Sequence, residues 1–296
     1  MTQTPRTTRP NWPALYTAHH KALSTEQVDH FLAKGRQWQL APVLQAGGVV
    51  VFPHAAVQDC GQHVAAAVQA ILDSSAHRVL VVSVLHAWTP EMEDARRRLA
   101  AGEELSNHPL RGIHGPDIPH SRSEWQLDHA LISWRFFWQA AMARRNQQAR
   151  PQVRPQVREV YPFLAGNHPE SLPNYDEVAK WAEDAVVVAT ADPFHHGIGY
   201  GDDPSVARAP EDGGLELARA SINESNRLLA QGDYPAYLQQ CVRARNDARD
   251  AGPLFRQLRG ALHPELLDLQ ASDMAAIYQA PPPTWVAAPL VAWHPL

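Results

Sequence analysis

Cysteine is almost missing from this chain: Cys60 and Cys241 are the only two in 296 residues. Two thiols cannot build a disulfide framework, and no Cys-x-x-Cys spacing marks a zinc knuckle or a redox pair. Charge is also scarce, at 19% of residues, and its balance of 26 Lys and Arg against 31 Asp and Glu gives a formal net charge of −5. No basic block stands out, so the phosphate-neutralising surface that drives nucleic-acid binding is not expected. No apolar run approaches the roughly 20 residues that span a bilayer, and no membrane partner is expected. The stretch from Met1 to His20 is polar and dotted with proline. It lacks the roughly 7–15-residue apolar core of a secretory leader, and a reducing cytoplasm is the expected setting.

Hydrophobic residues are not scarce, at 45%, which excludes the composition of a disordered chain. Three short apolar runs stand out: Gly48 to Phe52, Val79 to Leu85 and Ala185 to Thr190. Continuous β-branched runs of this length read as strands buried on both faces, as in a parallel sheet covered by helices. Between the first two, Val57 to Leu72 has helical spacing and the length of a crossover helix. Ser24-Thr25-Glu26-Gln27 predicts the cap of a helix through Val28, Phe31 and Leu32, and Glu124 to Gln148 reads as one long amphipathic helix. Another strand is expected at Val160 to Leu164, and residues 213–262 read as mostly helical. The stretch Trp285 to Trp293 reads as a final edge strand, because Pro289 argues against a central position. The expected fold is α/β: a single domain, residues 25–296, with a mostly parallel or mixed central sheet flanked by helices. Residues 1–24 read as an N-terminal arm. The tandem Arg-Pro-Gln-Val at 150–157 reads as an extended loop within the domain.

The chain is rich in histidine, with 16, and three of these follow the apolar runs closely: His54, His86 and His195. In open α/β sheets, ligands and catalytic groups gather outside the carboxyl ends of the strands. Three strand-end histidines therefore point to one cleft. With an oxygen donor, His54 and His86 would make the two-histidine, one-carboxylate face that suits non-haem Fe(II), while zinc with three protein ligands and a water is the competing chemistry. Asp192 stands three residues before His195, so one can orient the other or accept a proton; a capped turn is the bland alternative. His129 follows Asp128 on or just before the long helix and reaches the same cleft from the side. His114 and His120 sit in a Gly- and Pro-rich loop that reads as a lid. Cys60 falls at a helix start, where a thiol can be activated, although buried packing is the simpler reading.

These residues resemble a family. Pro53-His54-Ala55 followed by Cys60-Gly61 is similar to the Pro-His-Ala-Gly-Tyr and Cys-Gly segment of Memo-like proteins. The strand ending in His86 resembles their Ser-His-His strand. In the same order, Asp128-His129-Ala130 resembles their Glu-His-Ser motif, Tyr161 to Gly166 their Pro-Val-Leu-Val-Gly strand, and Asp192 to Gly197 their Ser-Asp-Phe-x-His-x-Gly motif. The likeness spans roughly residues 48–255. It implies the fold of the protocatechuate 4,5-dioxygenase-type, class III extradiol enzymes. It implies that His54 and His86 hold metal, that His195 is an acid/base, and that Asp192 and His129 line the site. Where Memo-like proteins carry a cysteine, residues 245–253 have none; Asp247 or Asn246 stands there, and a carboxylate from Asp247 restores the iron-type ligand set.

The resulting expectation is an Fe(II)-dependent oxygenase acting with O2 on a small aromatic or phenolic molecule, with His54, His86 and Asp247 as metal ligands. Two other readings stay open. One is a Memo-like metal-binding or signalling protein without turnover, with copper bound; the other is a zinc-dependent hydrolase. The resemblance also allows a homo-oligomer.

Overall fold

The computed structural model describes residues 10–146 and 154–296. Part of the tandem Arg-Pro-Gln-Val segment and the last residues of the expected long helix lie outside them. The strands are β1 (Val49–Phe52), β2 (Arg78–Val82), β3 (Gly112–His114), β4 (Gln156–Phe163), β5 (Val186–Thr190), β6 (Phe194–Gly197), β7 (Leu262–Asp273) and β8 (Thr284–Pro295). The helices are α1 (Trp12–Ala22), α2 (Thr25–Gly35), α3 (Ala41–Gln45), α4 (Val57–Asp73), α5 (Pro90–Ala100), α6 (Ile132–Asn146), α7 (Tyr175–Ala182), α8 (Leu215–Gln231), α9 (Tyr234–Ala244), α10 (Ala251–Arg259) and α11 (Ala275–Tyr278). The strands make one mixed sheet in the order β3-β4-β2-β5-β1-β8-β6, with β7 paired along β8. The pairs among β4, β2, β5 and β1 are parallel, and β3, β6, β7 and β8 pair antiparallel to their neighbours. This is the expected α/β fold.

The continuous apolar runs have a simple cause. Successive side chains of a strand point to opposite faces, and here both faces are covered. Val50, Phe52, Val79, Val81, Val186 and Val188 enter one core with α1, α2, α4 and α6. Their neighbours Val49, Val51, Leu80, Val82, Val187 and Ala189 enter a second core with α7, α8, α9 and α10. Helix α4 is the centre of the first layer, and Val64, Val68 and Ile71 on it are wholly buried, each contributing roughly 1.5–3 kcal/mol. Helix α2 starts at the expected cap: Ser24 Oγ accepts from the Gln27 N–H, and Gln27 returns the bond to the Ser24 N–H.

Four expectations need correction. First, β8 is an internal strand, not an edge. It pairs with β6 through residues 284–287 and with β1 through 291–293 on one side, and with β7 along the other. Pro289 falls in the gap between the β6 and β1 pairings, a stretch of that edge with no neighbouring strand to accept a hydrogen bond. Second, the helix expected from Glu124 begins only at Ile132. Residues Ser123–Leu127 make a 3-10 turn, Asp128 is extended, and Leu127 is 56% exposed. The apolar spacing from Leu127 to Leu131 imitates a helix across a break where the Asp128 side chain is otherwise engaged. Third, residues 12–22 of the supposed arm form α1, whose Trp12 and Tyr16 are buried in the first core. Fourth, His114 is no lid residue: it lies in β3, buried, with Nε2 3.2 Å from the Leu110 carbonyl oxygen and Nδ1 accepting from the Arg122 N–H at 3.3 Å.

Candidate metal centre

Three adjacent parallel strands, in the sheet order β2-β5-β1, end at one edge of the sheet. Beyond their carboxyl ends come His86, Asp192 and His54. Neighbouring strands are about 4.8 Å apart, so side chains leaving these three ends meet without a long reach. Asp247 enters from the segment between α9 and α10, and His129 from the segment before α6. His54, His129, Asp192 and Asp247 are buried, whereas the His86 side chain is 25% exposed.

The two strand-end imidazoles are held alike. His54 Nδ1 lies 3.0 Å from the Thr190 hydroxyl, the last residue of β5. His86 Nδ1 lies 3.0 and 3.2 Å from the two oxygens of Asp128. Each Nε2 is thereby left facing the cleft, and both approach the same atom: Asp247 Oδ2 is 3.1 Å from His54 Nε2 and 3.8 Å from His86 Nε2. That oxygen is buried and makes no hydrogen bond. Two donors each about 2.1 Å from an ion stand about 3.0 Å apart at right angles and about 3.4 Å apart at the tetrahedral angle. The distances thus suit donors around one small cation. Two sets of donors, one of His54, His86 and His129 and one of His54, Asp192 and Asp247, each have their donor atoms within 4.8 Å of one another. No cysteine belongs to either set.

Carboxylates lock the loops that carry these donors. Asp128 accepts from the His86 N–H at 2.7 Å, the Ala130 N–H at 2.9 Å and the Trp88 indole at 3.2 Å. A carboxylate behind a metal-facing histidine fixes its ring and tautomer. Asp192 Oδ1 accepts from the His54 N–H at 3.0 Å, and Asp247 Oδ1 accepts from the Asp192 N–H at 2.9 Å. Asn246 instead caps its own turn, its Oδ1 accepting from the Ala248 N–H at 2.8 Å, so Asp247 and not Asn246 faces the histidines. The Tyr16 hydroxyl donates to the His54 carbonyl oxygen.

Burial raises the cost of charge throughout the cluster, and neighbours decide which groups keep it. Burial disfavours charge on His54, but Asp192 and Asp247 outweigh it and raise its pKa to about 9. Burial likewise works against Asp247, yet His54, then His195 and His86, hold it down at about 2. For Asp192, burial aided by Asp247 wins over His54, and its carboxyl rises to about 6. Asp128 is held below the ordinary carboxylate range, His86 and the Ala130 N–H outweighing its burial. Burial keeps His129 and His195 uncharged, the latter with a pKa lowered to about 4. His195, on β6, is half-buried; its Nδ1 is buried without a hydrogen-bond partner, and its ring centroid is 5.1 Å from that of Tyr200. The strand can turn away just past it because Gly197 has φ +107°, and a Cβ there would meet the Pro283 carbonyl oxygen at 2.0 Å.

All six site residues expected from the sequence stand in or beside this cluster. Cys60 does not: it is wholly buried, burial holds its thiol well above the ordinary range, and its Sγ donates to the Ala56 carbonyl. Sequence reasoning passed over Thr190, Tyr16 and Trp12, and it did not give Asp128 its orienting place. Asp128 had a signal, lying next to His129 within a collinear motif. Trp12 and Tyr16 had a faint one, an i,i+4 aromatic pair in a segment interrupted by proline. Trp12 stacks on His129 at 4.8 Å between centroids, and His129 stacks on His86 at 4.4 Å. Compared with known proteins, the chain matches no family model and no curated protein.

Proposed function

We propose that this protein is a mononuclear, non-haem Fe(II)-dependent oxygenase acting on a small aromatic or phenolic substrate. The observation that carries the reading is the meeting of two imidazole Nε2 atoms on one buried carboxylate oxygen, Asp247 Oδ2, with both Nδ1 atoms held from behind. Two imidazole nitrogens and one carboxylate oxygen suit Fe(II) and leave positions open. The absence of cysteine from the donor sets argues against a soft copper site. Bound Fe(II) supplies the point at which substrate and O2 come together.

The chain's own groups do the rest. His195, uncharged near neutrality, accepts the proton that a substrate hydroxyl gives up on binding and returns it later. Asp192, its carboxyl raised only to about 6, is mostly ionised near neutrality and holds the His54 backbone through Oδ1. Trp12, Trp88 and His129 form aromatic walls next to His86, the exposed member. A reducing cytoplasm is the setting that keeps both the thiols and such an ion reduced.

The test is the metal content of protein prepared without oxygen, beside His54→Ala and Asp247→Ala. About one iron per chain, lost in both variants, together with O2 uptake on adding catechols or aminophenols, is the expected result. Tightly held zinc and no O2 uptake would overturn the oxygenase reading in favour of a hydrolase.

A further inference from the structure

A centre of two histidines and one carboxylate would use His129 only as a wall, yet its ring is stacked from Trp12 and His86 beside the two strand-end imidazoles. Its ring is 7% exposed and is clamped between Trp12 at 13° and His86 at 22°. Its Nδ1 is buried without a hydrogen-bond partner. A buried polar atom left unpaired costs on the order of 1–3 kcal/mol, so a ring held in this way needs a compensating partner. Its donor atom lies within 4.8 Å of those of both His54 and His86. Donors on opposite sides of an ion stand about 4.2 Å apart, so small side-chain movements bring all three nitrogens to one cation.

We propose that His129 is a fourth protein ligand, making a centre of three histidines, His54, His86 and His129, and one carboxylate, Asp247. This rests on the metal reading above and narrows it. An octahedral ion held by three side chains keeps three positions open, enough for a substrate that chelates through two oxygens and for O2 as well. Held by four, it keeps two. The substrate then binds the metal through a single oxygen, as a monophenol or enol does, and a catechol or aminophenol would bind through only one of its two donors. Asp128-His129 is therefore one device with two parts: Asp128 orients His86, and the next residue supplies a ligand of its own.

The experiment uses the full chain, stripped with a chelator and loaded with Cu(II), with electron paramagnetic resonance to count the coupled nitrogens. Wild type should show three, and His129→Phe, which keeps the ring stack but removes the nitrogens, should show two with an affinity at least tenfold weaker. His129→Gln serves as a second variant should the Phe form fail to fold, as judged by circular dichroism. An unchanged nitrogen count and affinity in a folded His129 variant would overturn the fourth ligand and leave the metal reading standing. Failure of wild type to bind Cu(II) at a defined site would remove both.

Discussion

Two clusters in this molecule, each built on a buried histidine paired with aspartate, have the same ingredients and opposite finishes. On α4, His63 is wholly buried, with Nδ1 3.2 Å from the Ala288 carbonyl oxygen and Nε2 2.9 Å from Asp268 Oδ2. Asp268 is in turn satisfied by the Leu269 N–H and the Gln270 amide. Every polar atom of the His63 ring has a partner within the protein. At the carboxyl ends of β1, β2 and β5, the second cluster leaves His129 Nδ1, His195 Nδ1 and Asp247 Oδ2 without hydrogen bonds. Burial and pairing are common to both. The difference lies in the polar atoms that the second cluster leaves without hydrogen bonds.

The comparison is broken most forcefully at Asp247. Structural zinc sites bind with about 10–16 kcal/mol, so roughly 3 kcal/mol, or more than a hundredfold, falls to each of four ligands. Asp247→Ala should weaken metal binding by at least that factor in a competition titration while leaving the far-ultraviolet circular dichroism unchanged. His63→Leu should do the reverse. It leaves the Ala288 carbonyl without its imidazole partner, while the part-exposed Asp268 keeps its bonds from Leu269 and Gln270, costing about 1–3 kcal/mol in denaturant unfolding, with metal affinity within threefold of wild type. If His63→Leu loses the metal and Asp247→Ala loses the fold, the contrast between the clusters is false.

Asp128→Asn sharpens it at the next level. The His86 ring would lose its anionic partner but not its position, and metal affinity should fall about 10- to 100-fold. The remaining test is the pH dependence. His54 must give up its proton before Nε2 can bind a cation, and in the metal-free protein that proton is held up to about 9. Below that value affinity should rise about tenfold per pH unit and then level off. The metal-free fold shows the opposite sign. A raised histidine pKa stabilises fully below the unfolded value of about 6.5, and that contribution is lost as pH rises through about 9. A melting temperature of the stripped protein that climbs over this range would contradict the assigned pairing of His54 with Asp192 and Asp247.

The strands were legible because a sheet covered on both faces leaves no place for polar alternation, and Val49 to Phe52 or Val186 to Thr190 admits no other reading. The histidines at their ends were legible for the related reason that carboxyl-end loops are where open α/β sheets place chemistry. Asp247 came only through a likeness to a family motif, since the segment 245–250 has no periodicity to fix it. Thr190 was hidden because a hydroxyl at a strand end has no signature beyond β-propensity. Pro289 misled because a proline rule speaks of whole strands, and β8 changes partners partway along its edge. Trp12 and Tyr16 were obscured because a two-turn aromatic face between Pro10, Pro13 and polar residues carries too few positions to show a period.

The order of the site along the chain sets a timetable for its assembly. His54 precedes Asp247 by 193 residues, which at about 5–20 residues per second of synthesis is about 10–40 s. Within that interval His86 and His129 are made as well, so all three imidazoles precede Asp247 in the order of synthesis. Trp12, made first, can stack on His129 only after another 117 residues have been made.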